Sequence, residues 1–91
     1  MNLYIAQRSD QPKLFEIAAS DNAYINCGML QKGHCFTVEP VIIFCGAGDC
    51  VSLVHLAIES KRAAGDWFGV SLKDASDAVC VVLAEELVRA C

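Results

Sequence analysis

The sequence predicts an α+β domain: a small antiparallel or mixed sheet of three to four strands from the N-terminal half, with two C-terminal helices packed on one face. Three observations predict this class. Apolar residues alternate at period two in several segments before Phe44. After Cys50 they recur at helical spacing. Clusters of turn-forming residues separate the segments.

Leu3–Gln7 sets Leu3 and Ile5 against Tyr4 and Ala6, the alternation of a pleated strand. The cluster 9–12, Ser-Asp-Gln-Pro, is expected to turn the chain. Leu14–Ser20 places Phe15, Ile17 and Ala19 on one face, and Glu16, Ala18 and Ser20 on the other. It reads as a strand, with a short helix after Pro12 as the alternative. Asp21-Asn22 is a second turn, and Tyr24–Leu30 is expected to be a third strand with a bulge at Gly28. Gln31-Lys32-Gly33 resembles a hairpin loop. Cys35–Phe44 follows, and its Pro40 cannot donate to a ladder. Pro40 therefore splits this run or assigns it to a sheet edge. Val41–Phe44, apolar on both faces, reads as a covered strand.

Asp49 is expected to cap the first helix, whose stripe is Val51, Val54 and Ile58, widened by Leu53, Leu56 and Ala57. Lys61 and Arg62 suit its C-terminal dipole, and Gly65 the position after its end. Ser71-Leu-Lys-Asp74 is a capping-box-like start for a last helix over residues 72–90. Leu72, Ala75, Val79, Val82, Leu83 and Leu87 form its stripe. Val81 and Val88 lie off the stripe and are expected at a subunit contact. Trp67–Val70, between the helices, has the composition for a small additional strand.

A chain of 91 residues makes one domain, residues 1–91. It is 55% hydrophobic, against about 45–50% in ordinary soluble domains, and its mean hydropathy is +0.41. This is more apolar surface than one small core readily covers. A homo-oligomer is expected, most simply a two-fold dimer. The net charge of −4 and scattered cations disfavour nucleic acid, and suit a basic protein partner or simple solubility. No run of residues approaches the about 20 apolar positions of a membrane span. The first ten residues lack a signal-peptide pattern, so the expected location is cytoplasmic.

The six cysteines are Cys27, Cys35, Cys45, Cys50, Cys80 and Cys91. Without a secretory context they read as reduced thiols acting as small hydrophobes rather than a disulfide framework. Cys80, among Val79, Val81 and Val82, fits burial best, and Cys91 is expected to be exposed. No paired spacing asks for zinc, and neither a metal nor a cofactor is expected.

The best address for a site is the turn from Cys45 to Cys50. A thiol at a strand end beside a helix start gains thiolate character from the dipole. Gly46 and Gly48 permit a sharp turn whose backbone N–H groups suit an anion. Cys45 or Cys50 would be the nucleophile and His55 or His34 its base, oriented by Asp49 or Glu59. The specific signals are missing. Val51 stands where a Cys-x₅-Arg loop needs arginine, and where a dinucleotide fingerprint needs its third glycine. Asp49 repels an anion from the same turn. Trp67 and Phe68 are candidate anchors for a partner or ligand.

The expected function is therefore a non-enzymatic protein-interaction or small-ligand-binding domain acting as a homo-oligomer. The alternative is a thiol-dependent enzyme or redox protein. Small orphan domains of this composition are similar in kind to accessory proteins of phages and other mobile elements, but no motif carries that likeness and no family follows from it.

Overall fold

The computed structural model describes residues 1–90 of the chain. Its first two strands, β1 (Asn2–Arg8) and β2 (Gln11–Ser20), form a hairpin through Ser9-Asp10. Helix α1 (Ala23–Gln31) follows, then β3 (Val38–Phe44). A 3₁₀ turn (Gly48–Cys50) leads into α2 (Val51–Ala57), and a second (Glu59–Lys61) into β4 (Arg62–Ala64). A two-residue strand, β5 (Trp67–Phe68), precedes the long helix α3 (Leu72–Ala90). The five strands make one sheet in the order β3-β1-β2-β5-β4, antiparallel at every pairing. The α+β class stands, with one more strand and one more helix than expected.

The extra helix is the main correction. Residues 24–30 are helical, not a strand with a bulge. Asn22 decides this locally: its side chain accepts from the Ile25 backbone N–H at 3.1 Å, satisfying a free donor of the first turn. The predicted hairpin loop at residues 31–33 is then the helix end, where the Lys32 N–H donates to the Met29 carbonyl and Gly33 takes φ +81°.

Helices consequently cover both faces of the sheet, not one. Leu3, Ile5, Phe15 and Ile17 point to a core completed by Val54, Phe68, Ala75, Val79 and Val82 from the C-terminal half. Tyr4, Ala6 and Ala18 point the other way and meet Ala23 and Cys27 of α1, with Val38. The period-two alternation legible in residues 3–6 thus separates two cores.

Pro40 lies on an edge strand, as its missing donor requires. Ile5 pairs with Ile42 and Ala6 with Pro40, which leaves Val41 as the extra residue of a bulge. Residues 41–44 are therefore a half-exposed edge rather than a covered strand. At the other end, α2 is shorter than its apolar run. It stops at Ala57, and Arg62 belongs to β4, not to a helix C-terminus. Gly65, at φ +55°, makes the β4–β5 turn. Asp49 is exposed and makes no side-chain cap. Ser71 does cap α3, accepting from the Asp74 N–H at 3.0 Å. On α3, Ala75, Val79 and Val82 are buried as expected, whereas Leu87 and Cys80 are exposed. Among the described residues, Cys27 is the thiol that is buried. The expectation for Cys91 lies outside the described residues.

Candidate functional site

The Cys45–Cys50 turn is built around the chain's first residues. The Gly46 N–H donates to Asn2 Oδ1 at 2.8 Å, and the Gly48 N–H to the Met1 carbonyl at 2.9 Å. The Ala47 and Cys50 N–H groups donate to the carbonyls of Phe44 and Ala47. Four donors of this turn therefore already have acceptors within the chain. Each glycine has a separate cause. Gly46 sits at φ +73°, which side-chain-bearing residues rarely adopt. A Cβ on Gly48 would lie 2.7 Å from the Met1 Cβ, so this backbone contact needs a residue with no side chain.

Cys45 is exposed at the end of β3, and Cys50 is partly buried against the main core. His55 belongs to another neighbourhood. Its Nε2 lies 2.5 Å from the Ile17 carbonyl and therefore carries the proton that it donates. Its Nδ1 is 3.9 Å from Asp66 Oδ1, and its ring rests on Phe68 with centroids 5.0 Å apart. The carboxylate nearest this imidazole is thus Asp66, neither Asp49 nor Glu59. Glu59 bonds Arg62, whose guanidinium holds that carboxyl below its ordinary range. His34 is exposed and stacks on Phe36 at 4.7 Å. Among the described residues, no imidazole or carboxylate hydrogen-bonds an exposed thiol at Cys35, Cys45 or Cys80. Nor do three or more His, Cys, Asp or Glu side chains converge there as a metal-ligand set.

Trp67 and Phe68 do not act as a pair. Adjacent on β5, they face opposite sides of the sheet. Phe68 is fully buried in the main core, while Trp67 packs against the α1 side. A depression of about 510 Å³ is bordered by Arg8, Thr37, Glu39 and Pro40. Its one cation, Arg8, already binds Asp10 through two hydrogen bonds of 2.9 and 2.7 Å. Arg8 also stacks on Phe36, 3.9 Å from the ring centroid.

A polar cluster inside the α1 side had no signal in the sequence reading. Glu16 is only 4% exposed, and Tyr4 is completely buried. The Tyr4 hydroxyl donates to Glu16 Oε1 at 2.8 Å, and Asn26 of α1 donates to the Tyr4 oxygen. Burial pushes the Glu16 carboxyl above its usual range, and the Tyr4 hydrogen bond only partly opposes that shift. Burial also pushes the Cys27 thiol up to about 11, so it is protonated and unreactive at neutral pH. This cluster joins β1, β2 and α1. A latch that fixes the helix on the sheet is the role its closed geometry suits.

What α1 presents outward is the other feature missed. Tyr24, Ile25 and Met29 are 69%, 63% and 69% exposed. No residue of the helix carries a formal charge. The opposite side of the molecule exposes Leu56, Val81, Leu87 and Val88. Val81 and Val88 were the residues expected off the α3 stripe. Among the described residues, no helix is long and apolar enough to cross a membrane. Comparison of the chain with known protein families, curated proteins and solved structures finds no match.

Proposed function

We propose that this protein is a non-enzymatic interaction domain that works as a homo-oligomer. One observation carries this reading: large apolar side chains are exposed on both sides of a sheet whose two cores are already filled. The outer face of α1 presents Tyr24, Ile25 and Met29 together, and Leu56, Val81, Leu87 and Val88 are exposed individually on the other side. Single exposed apolar residues are ordinary, but clusters on the outside of a helix mark interaction sites. The closed polar cluster and the engaged turn donors agree with this assignment, since both serve the fold.

Size-exclusion chromatography with light scattering at micromolar concentration tests the oligomer. A dimer or larger species is expected, and a monomer throughout that range overturns it. Thiol alkylation followed across pH tests the non-enzymatic part. Uniform, slow labelling of the exposed thiols is expected, and selective rapid labelling of Cys45 or Cys50 would reopen thiol chemistry.

A further inference from the structure

We propose that the outer face of α1 is the two-fold dimer interface, with α1 packing antiparallel on α1 of a second copy. The proposal rests on the homo-oligomer reading and says where that oligomer forms.

The argument starts from spacing. Tyr24 and Gly28 are one turn apart on one side of the outer face, and Ile25 and Met29 are one turn apart on the other. A two-fold axis crossing the helix between Asn26 and Cys27 reverses the partner's direction and keeps each side facing its own kind. Tyr24 then meets the partner's Gly28, and Ile25 meets the partner's Met29. Large opposes small on one side, and two flexible apolar chains meet on the other. Gly28 supplies the room: a Cβ built on it meets nothing within 4 Å, so its outer surface is open. An aromatic ring laid on that notch brings the backbones close, as small residues at helix crossings do.

Charge supports a second copy over another partner. The chain carries −4 overall, so two copies repel except where charge is absent or paired. Helix α1 has no charge between its ends. It is flanked by the exposed Asp21 before it and the exposed Lys32 after it. The axis that pairs Tyr24 with Gly28 also brings Asp21 of one copy level with Lys32 of the other. Symmetry makes this pairing twice. Within one chain Asp21 has only a distant ion pair, 3.7 Å from the terminal amino group. The antiparallel arrangement also sets each helix N-terminus beside the partner's C-terminus.

Sedimentation equilibrium of the full chain gives the test. Ile25→Asp places an unpaired charge in the interface and should raise the dimer dissociation constant about tenfold or more. Ile25 is exposed in the single chain, so the variant should keep the wild-type circular dichroism spectrum. Asp21→Lys and Lys32→Asp should each weaken the dimer about fivefold, and the double reversal should restore it. Leu56→Asp, on the opposite side, should leave the dissociation constant unchanged. A wild-type chain that stays monomeric overturns both this interface and the oligomer reading. A dimer that survives Ile25→Asp but is lost in Leu56→Asp overturns this interface alone and moves the contact to the α2–α3 side. Single reversals with no rescue in the double variant also overturn the stated register.

Discussion

The two faces of the sheet are held by different physics. The C-terminal side is an apolar core in which Phe68, Ile17, Val54 and Val79 are fully buried, with His55 at its margin. The α1 side is filled by small residues, Ala6, Ala18, Ala23 and Cys27, around the Tyr4–Glu16–Asn26 cluster. The apolar side derives its strength from area removed from water, a term indifferent to pH. The polar side contributes less area but fixes one position for α1, because a buried hydrogen bond is costly to leave unmade. Bulk stability and helix placement are thus assigned to opposite faces.

The largest effect that could break this comparison is on the apolar side. Phe68→Ala removes a ring with no exposure, and should cost about 3–5 kcal/mol, the range for emptying an aromatic site in a core. Equilibrium urea unfolding measures it. Because the ring also supports His55, part of the loss belongs to that contact. A cost below about 1 kcal/mol, the range of a volume-conserving swap, would show that this side is not the main store of stability.

The second test separates the faces by pH. Glu16 has its carboxyl pKa raised by burial, with Asp66 adding a smaller push. The folded state therefore holds this proton more tightly than the unfolded state. The stabilisation is full below the ordinary carboxylate range and is lost as pH rises through the raised folded value. Glu16→Gln keeps the acceptor for Tyr4 and removes the ionisation. The expected result is a wild-type stability that declines through this acid window, less the contributions of other groups, and a flatter profile for Glu16→Gln. Amide exchange read at α1 should follow the same difference. Identical profiles for the two proteins would leave the cluster without a pH role. Cys27 gives the same sign at higher pH: stability falls as pH rises toward about 11.

The apolar side was the more legible in the sequence, for the same physical reason. Period-two alternation at Leu3–Ala6 and helical spacing through Ala75, Val79 and Val82 are patterns that burial itself imposes. Pro40 restricted its run to a split or an edge, because a missing donor cannot serve a central ladder, and the edge is what forms. The α1 side offered no such periodicity. Its helix buries only Ala23 and Cys27, one turn apart, and leaves apolar residues outside, so its nine residues carry no clear stripe. The signal that was present was Asn22, read as a turn residue although it caps. Glu16 carries no mark of burial in its own strand, because nothing in residues 11–20 shows that Tyr4 and a helix close over it. Asp49 failed as a cap because the chain enters α2 through a 3₁₀ turn, with Cys50 in the cap position. The turn between strand and helix falls at residues 45–50, where the spacing puts it, but its local hydrogen bonds depend on Met1 and Asn2, more than forty residues away in sequence.

The smallest effect concerns glycine and sharpens the contrast between a residue needed by the fold and one that is not. A Cβ at Gly48 would meet Met1 at 2.7 Å, whereas a Cβ at Gly28 would meet nothing within 4 Å. Gly28 is also in ordinary helical conformation, unlike Gly46 at φ +73°. Alanine at position 28 should therefore stabilise the single chain by about 0.5–1 kcal/mol, the usual gain for replacing glycine inside a helix. The measurement is urea unfolding at a concentration too low for self-association. Glycine then persists on the outer face of α1 against the interest of the helix that contains it. A gain at low concentration together with weaker dimerisation at high concentration would give that glycine a cause outside its own chain, in the space a partner's Tyr24 ring requires.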